Sequence, residues 1–335
     1  MTNKYKYIEL CKKEKDIPIF SKDWWLDAVC GKENWNVVLV EKDGQIIASM
    51  PYYIVKRRMM RIITMPQLTQ TIGPWIKYPA NQKYSKRITF EKKIFTELIN
   101  KIPKHASFNQ NFHYSITNWL PFYWQGFKQT TRYTYVIALT DLDRIFADFS
   151  REKRRNIKKA KDIVEIRNDL SSERFYQNHV LTLSKQSTKI LYSFELFFKI
   201  YNACHINHAC KIFYAVDKYD NLHSAIFTVS DKQSAYDLIS TIDPDFRNSG
   251  SASLLVWEAL KHYADRTKKF DFEGSMIECV ENSFRAFGAR QMPYFQVSKI
   301  NSPFLKISRD IRSWGEMLRY LMRNRTRTKS SAKDS

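Results

Sequence analysis

AYDLISTI-DPDF-RNSGSA-SLLVWEALKHY, residues 235–263, is the stretch that decides the fold. Its first segment, 235–242, has the β-branched and aromatic residues of a strand. Its last segment, 253–263, has apolar residues at the spacing of a helix. A strand, a loop of small residues and a helix start form a geometry that binds phosphate. The amide N–H groups of the first helical turn point outward there, and the helix dipole adds about half a positive charge.

A second informative segment, KFDFEGS (269–275), follows that helix. It predicts a strand in which Phe270 and Phe272 alternate with Asp271 and Glu273, so that both rings share one face and both carboxylates the other. With the rings buried, the carboxylates face a cleft or solvent, where Glu273 is a candidate base or a candidate to bind a basic group of a substrate. Asp271 is a candidate to bind the substrate. An ordinary ion pair with a nearby Lys or Arg is the alternative for both carboxylates, and it is the favoured interpretation for Asp271.

The same order of elements occurs twice along the chain. Each time, a Ser-initiated helical segment leads to a β-branched strand, a turn and a returning strand. The segments are SKDWWLDAV (21–29), WNVVLV (35–40) and QIIASMPYYIV (45–55), and then SFELFFKIY (193–201), KIFYAV (211–216) and LHSAIFTVS (222–230). This repetition predicts a duplicated α/β unit, although helix and hairpin patterns also recur by chance in α+β proteins.

Composition sets the broad class. The 335 residues are 44% hydrophobic and 15% aromatic, which is ample for sizeable cores. No apolar run is long enough for a transmembrane helix, and the first residues carry charges where a signal peptide needs an apolar stretch. Five cysteines without paired spacing are typical of a reducing compartment, so we expect a cytoplasmic protein. Lys plus Arg exceed Asp plus Glu by 55 − 34 = 21, which favours polyanionic partners.

The basic residues are concentrated in two places. The segment 151–162 holds seven basic and two acidic residues. Its Arg154, Arg155 and Lys158 are candidates to hold a diphosphate on a substrate or on a tRNA, the alternative being a plain solvated helix. A second segment, 309–324, predicts an amphipathic helix that either lies on an anionic membrane or packs on the second domain. The residues after 325 are expected to be disordered.

Several motifs carry a resemblance to a known family. Arg247-x-x-Gly250-x-Ala252 after a strand resembles the pyrophosphate loop of the GNAT acyltransferases. The segments 269–275 and 284–288 (FRAFG), together with 154–160 (RRNIKKA), resemble the FemAB-like branch of that superfamily. Gly73, in a Gly-Pro turn, resembles a loop of that branch near the acceptor cleft.

The resemblance implies a fold and a function. The fold is α/β (α+β), with two tandem GNAT-like domains, each a mixed, mostly antiparallel sheet flanked by helices. We expect an N-terminal domain over residues 1–128, an acyltransferase domain over 129–300, and a basic amphipathic helix with a disordered tail over 301–335. The function is N-acyl transfer to an amine of a phosphorylated or lipid-linked cell-envelope precursor, a peptidoglycan or surface-polysaccharide intermediate.

The resemblance also implies a donor and its binding residues. The donor is either an acyl-CoA or an aminoacyl-tRNA. The match of Arg247, Gly250 and Ala252 to the pyrophosphate-loop pattern favours an acyl-CoA, whereas the net positive charge favours an aminoacyl-tRNA. No permanently bound cofactor is expected. The donor-binding residues are those of the loop: Arg247, Asn248, Ser249, Gly250, Ser251 and Ala252.

One position departs from the family pattern. The family's lysine falls on Phe284, and the basic group comes one residue later, as Arg285. Either Arg285 stabilises the oxyanion of the tetrahedral intermediate from a rotated helical turn, or this protein stabilises it by other means. A surface ion pair is the ordinary interpretation of Arg285.

Parts of the sequence are also compatible with two other classes of function. A non-catalytic, basic RNA-binding or membrane-peripheral protein on an acyltransferase fold is the alternative that the net charge supports. The run Cys204-His205-x-x-His208-x-Cys210 has zinc-ligating residue types, but paired ligand spacing is missing. No metal site is therefore predicted.

Overall fold

The computed structural model describes residues 2–274 and 276–307. Helices α1 to α10 lie, in chain order, at Asn3–Lys13, Asp23–Cys30, Tyr84–Lys101, Leu120–Trp124, Leu142–Asp148, Arg151–Lys161, Ser172–Lys185, Phe194–Ile206, Ser251–Tyr263 and Glu278–Arg285. Strands β1 to β12 lie at Trp35–Lys42, Gln45–Arg57, Met60–Thr64, Trp75–Ile76, Ser107–Asn111, Lys128–Ala138, Glu165–Arg167, Cys210–Val216, Leu222–Ser230, Ser234–Ile242, Lys269–Asp271 and Arg290–Ile300. Two short 3₁₀ helices span Ile19–Ser21 and Pro244–Ser249.

The strands form one continuous sheet, in the order β1-β2-β3-β5-β12-β6-β11-β10-β9-β8-β7, with β4 paired to β2. Of the described pairings, only β3–β5 and β10–β11 are parallel. The predicted class, a mixed and mostly antiparallel sheet flanked by helices, is confirmed. The two halves of the chain do not form separate sheets, because β12 lies between β5 of the first half and β6 of the second. The proposed boundary after residue 128 coincides with the start of β6.

A capping side chain marks the start of five of the ten helices that the structure describes. The Ser150 hydroxyl accepts a hydrogen bond from the Lys153 amide at 3.2 Å, and the Ser193 hydroxyl accepts one from the Leu196 amide at 3.2 Å. The predicted cap at Ser21 is wrong. Ser21 is the last residue of a 3₁₀ helix. Helix α2 begins at Asp23, with Lys22 at the N-cap position, and no side chain caps it.

The N-terminal segment packs into the core of the second half. Phe20 contacts Tyr236 of β10 with ring centroids 4.8 Å apart, and Trp25 with centroids 4.9 Å apart. Trp25 and Phe20 belong to one buried cluster with Phe197 and Phe227. The halves therefore share hydrophobic core as well as a sheet.

The parallel pair β10–β11 separates at its carboxyl end. Ser234–Tyr236 pair with Lys269–Asp271, but β10 continues to Ile242 whereas β11 stops. Within 269–275, where a strand that ends in a glycine turn is predicted, the strand stops at Asp271, and Glu273 and Gly274 have φ angles of +59° and +65°. At Asp237 the pairing of β10 with β9 also shifts register. A cavity opens in the resulting gap.

No helix within residues 2–274 and 276–307 has both the length and the apolar character to cross a bilayer. The predicted amphipathic helix over 309–324 and the residues after it lie outside the described residues.

Candidate functional site

A cavity of about 730 Å³ lies at the carboxyl ends of β10 and β11. It is bounded by α6, α7, the start of α9 and the segment around α10. Its walls combine apolar surface with a few polar and charged groups. The apolar lining includes Leu238, Leu255, Phe272, Phe284 and Phe287, and the polar lining includes Lys153, His179, Asp237, Arg247, Glu273 and Ser283. A concave, mostly apolar site with a few convergent polar groups is the usual form of a substrate pocket.

Asp237 lies on this lining, at the point where β10 shifts its register. Its side chain is 8% exposed, and both carboxyl oxygens accept from the Ser240 hydroxyl, at 2.8 and 2.9 Å. Burial raises the pKa of the Asp237 carboxyl to about 7, and the Ser240 hydrogen bond offsets part of that rise. A carboxyl that titrates near neutral pH is suited to accept and return a proton.

Glu273 lines the same cavity from the segment after β11, where its backbone has a left-handed φ of +59°. Its Oε1 has no hydrogen-bond partner among the described residues. Burial, and then the negative charges of Asp271 and Asp237, raise the pKa of Glu273 well above its usual range. The cavity therefore holds two acidic groups that ionise less readily than surface carboxylates.

Asp271 lies behind Glu273, fully buried. It accepts from the Thr134 hydroxyl and, at 2.8 Å, from the Glu273 amide. Thr134 in turn accepts from the Gln70 amide group at 3.1 Å, which belongs to the first half of the chain. Burial raises the pKa of Asp271 to about 6, whereas the Thr134 hydrogen bond lowers it. The structure thus places Asp271 in a network that joins the halves and not on the cavity lining.

The cavity lining includes the cation Lys153, which projects from α6 and contacts α10. Its Nζ donates to the Ser283 hydroxyl at 2.9 Å and lies 4.3 Å from the centroid of the Phe287 ring. Burial lowers the pKa of Lys153. Arg285 is instead exposed. Its Nε forms an ion pair with Glu281 Oε1 at 3.1 Å, and its guanidinium also donates a hydrogen bond to Asn282 Oδ1. It does not line the cavity.

The loop 247–252 lies at the cavity, but only Arg247 and Ala252 line it. The Arg247 side chain makes no ion pair with any residue that the structure describes. Gly250, the N-cap of α9 at φ +80°, is packed against α6, where an added Cβ would lie 2.4 Å from the Asn156 carbonyl oxygen.

The serines of this loop are turned inward. Ser249 accepts from the Ser251 amide at 3.2 Å, and Ser251 pairs with Ser224 at 2.8 Å. Asn248 is exposed, and its carbonyl accepts from Lys159 at 2.7 Å. The loop is therefore held from outside by α6 and open to the cavity on one side.

The remaining candidates lie elsewhere. Arg154, Arg155 and Lys158 face away from the cavity and, together with other residues of α6, line a separate basic groove of about 1090 Å³. Gly73 is buried, and an added Cβ would lie 2.5 Å from the Phe112 ring.

Sequence reasoning did not identify Lys153, Asp237 or His179. His179 lines the cavity, its Nδ1 2.8 Å from the Tyr192 hydroxyl, and burial lowers its pKa to about 4. Lys153 could have been found from the helical period, because the buried Ile157 and Ala160 mark the inner face of α6. Asp237 carries a signal as well, since a carboxylate inside the apolar strand 235–242 needs an explanation.

The zinc-ligating residue types of the 204–210 segment do not converge on a common point. Cys204 is fully buried in α8, and His205 stacks on Tyr201 at 5.9 Å between ring centroids. Across the described ranges, no three His, Cys, Asp or Glu side chains come together in a way that would hold a metal ion.

Comparisons with known proteins extend these observations. No protein-family model matches the sequence, and no curated protein sequence matches it. The structure is similar to that of FemX, with a TM-score of 0.65 and 11% identity over 91% of this chain and 98% of that one. It is also similar to the C-terminal DUF2156 domain of a putative lysylphosphatidylglycerol synthetase from Agrobacterium fabrum (TM-score 0.51, 10% identity, 92% and 96% covered). A third similar structure is L-PGS from Bacillus licheniformis (TM-score 0.51, 8% identity, 90% and 93% covered).

These similarities extend over nearly the whole chain and agree with the motifs on the second half. Over nearly its whole length, the chain has the fold seen in FemX.

Proposed function

We propose that this protein is an N-acyltransferase that moves an acyl or aminoacyl group onto an amine of a phosphate-bearing cell-envelope precursor. The observation that carries the proposal is the juxtaposition in one cavity of the buried Asp237, the half-buried Glu273 and the half-buried cation Lys153. The fold is compatible with this chemistry but does not by itself establish it.

The reaction needs a proton acceptor and a stabilised oxyanion. The acceptor nitrogen attacks the carbonyl carbon of a thioester or ester, and Asp237 takes the proton that the nitrogen loses. The Lys153 ammonium donates to the oxygen that becomes negative in the tetrahedral intermediate. When the intermediate collapses, the leaving thiolate or alkoxide takes up a proton. Glu273, in its neutral form, is placed to supply it.

The donor is either an acyl-CoA or an aminoacyl-tRNA. Arg247 at the opening of α9 supports a phosphate-bearing donor of either kind, since it lines the cavity and has no described acidic partner. The basic groove on α6, with Arg154, Arg155 and Lys158, supports the longer tRNA. The synthetase among the similar structures is named for a lysylated phospholipid, which supports an aminoacyl group and a membrane-borne acceptor.

Turnover tests this proposal. Purified protein is given acetyl-CoA or aminoacyl-tRNA together with nucleotide-linked or lipid-linked precursors that carry a free amine, and acylated product is measured by mass spectrometry. We expect transfer from one donor, and a loss of about 10²–10⁴-fold in rate for Asp237→Asn or Glu273→Gln. Asp143→Asn, an exposed carboxylate of α5, is the control. Equal rates for wild type and both cavity variants would refute the chemistry.

A second candidate is a non-catalytic RNA-binding protein. The observation that favours it is the basic groove, whose lining includes five cations: Arg151, Arg154, Arg155, Lys158 and Lys161. Its signature is RNA affinity that falls steeply with salt, together with no turnover of either donor.

A further inference from the structure

Four neighbouring strands end together at one edge of the sheet. The register pairs Ile62 with Ser107, Ser107 with Ile300, and Ser298 with Lys128. The tip of the β2–β3 hairpin, the start of β5, the end of β12 and the start of β6 therefore lie side by side. We name this surface the basic edge, and it comprises residues 56–61, 104–107, 123–128 and 299–307.

The basic edge carries only one sign of charge. Its four segments contain eight lysines and arginines and no aspartate or glutamate: Lys56, Arg57, Arg58, Arg61, Lys104, Lys128, Lys299 and Lys306. None of these eight forms an ion pair with a carboxylate in the described part of the chain. The charge is therefore available to an anionic partner.

Large apolar side chains stand among these charges. Met59, at the hairpin tip, is 101% exposed, and Phe304 and Ile307 are 65% and 61% exposed. Tyr123 and Trp124 of α4 are 58% and 56% exposed. A nucleic-acid surface needs no such aliphatic tips, whereas a lipid interface takes up both parts: aliphatic and aromatic groups enter the headgroup region and cations contact anionic headgroups.

The basic edge also lies at the same end of the sheet as the cavity. β11 runs antiparallel to β6, with Asp271 opposite Val136, so the carboxyl end of β11 points toward the start of β6. Tyr133 contacts the cavity segment at Gly274, where an added Cβ would be 2.1 Å from the Tyr133 carbonyl oxygen. From Tyr133 back to Lys128 the strand covers roughly 17 Å, at about 3.4 Å per residue.

We propose that the basic edge docks the protein on an anionic phospholipid membrane, with Met59, Phe304 and the α4 aromatics inserted among the headgroups. Docking in this orientation holds the cavity within about 20 Å of the bilayer surface, by the strand length given above. The proposal is independent of the reaction, since lipid binding is measured without turnover.

Vesicle sedimentation of the full chain tests it. The probes are vesicles of phosphatidylcholine alone and of equimolar phosphatidylcholine and phosphatidylglycerol. We expect wild type to bind only the mixed vesicles. Arg57→Gln/Arg58→Asn/Arg61→Gln removes three charges, and Met59→Ser/Phe304→Ser removes two apolar tips. Each is expected to weaken binding by about tenfold or more. All five positions are exposed, and circular dichroism checks that the variants fold.

The matched control removes three charges from another surface, α6, by Arg151→Gln/Arg154→Gln/Arg155→Gln. Its vesicle binding is expected to stay within about twofold of wild type, because headgroup attraction falls off within a Debye length. The proposal is overturned if wild type does not bind the mixed vesicles, or if the control loses as much binding as the edge variants. It is also overturned if the apolar variant binds like wild type while unfractionated tRNA displaces the vesicles, because the edge is then a nucleic-acid surface.

Discussion

At the scale of single residues, the acidic groups of the cavity are held at a cost to the folded state. The unfolded chain ionises Asp237 at its usual pKa, near 3.8, whereas the folded protein does so at about 7. Below about pH 4 the carboxyl is protonated in both states and has no effect. Between about pH 4 and 7 the unfolded chain ionises this carboxyl while the folded protein does not, so the folded state loses stability as the pH rises. Above about pH 7 both states are ionised and the penalty stays constant.

Asp237→Asn is therefore expected to raise the melting temperature at pH 8 by several degrees while abolishing most activity. The free energy of unfolding should rise by at most about 4 kcal/mol, because the pKa of Asp237 is raised from 3.8 to about 7 in the folded protein. At pH 4 the two proteins should melt together. Calorimetry at both pH values measures this, and Asp143→Asn should melt like wild type at each. A destabilised Asp237→Asn at pH 8 would show that the carboxylate is compensated in the fold.

Lys153 and Arg285 make a second comparison at this scale. Lys153→Gln is expected to lower kcat/KM by about 10²–10³-fold, because it removes the donor to the oxyanion. Arg285→Ala removes an exposed ion pair and is expected to change kcat/KM by less than about threefold. Steady-state kinetics with the active donor distinguishes the two. The reverse order of effects would make the sequence-based candidate the catalytic cation.

The sequence indicates Glu273 directly, whereas it singles out Lys153 only when the rotation of its helix is taken into account, and the reason is physical. Glu273 belongs to a motif with a recognisable spacing, 269–275. Lys153 is one of seven basic residues in 151–162, and its chemistry depends on which way that helix is rotated. The rotation is set by packing of Ile157 and Ala160 against the rest of the protein.

At the scale of elements, the packing of α6 on the start of α9 depends on one glycine. Gly250 combines φ +80° with an approach that leaves no room for a Cβ beside Asn156. Gly44, in the β1–β2 turn, has φ +73° and nothing within 4 Å of an added Cβ. An alanine at Gly44 would meet only backbone strain, whereas an alanine at Gly250 would meet the same strain together with a steric clash.

Gly44→Ala is expected to destabilise the protein by about 1–2 kcal/mol, the cost of a left-handed alanine. Gly250→Ala should cost more than about 3 kcal/mol, because α6 must also shift. Urea unfolding of both variants measures the difference. Equal losses would mean that α6 moves without resistance.

Most elements follow from local sequence, and the exceptions have local causes. The second hairpin, β8–β9, and helix α9 lie where periodicity and turn residues predict them. β11 is shorter than predicted because positive φ angles at Glu273 and Gly274 end it. Alternation of residue types cannot reveal a left-handed backbone at a non-glycine residue.

At the scale of the whole molecule, the two halves are joined by sheet and core. The single twelve-stranded sheet was not predicted, because β5–β12 pairing connects residues far apart in the chain and leaves no local signal. The repeated pattern does predict two similar halves, but it cannot show which strand lies between them. The extents 1–128 and 129–300 remain a prediction.

Phe20→Ala tests this coupling. Phe20 is fully buried and belongs to the first half, yet it contacts Tyr236 in the second. We expect a loss of about 3–5 kcal/mol, with unfolding still a single transition by both fluorescence and circular dichroism. Two separate transitions, with only one displaced, would show that the halves unfold independently.

The central position of β12 has a consequence for biosynthesis. While the ribosome is still making residues 112–289, β5 has a free edge toward β6, because the strand that fills this place is among the last described segments to be translated. At about 5–20 residues per second, that edge waits on the order of ten seconds or longer. A nascent chain with such an open edge is a natural client for chaperones that shield unpaired strands.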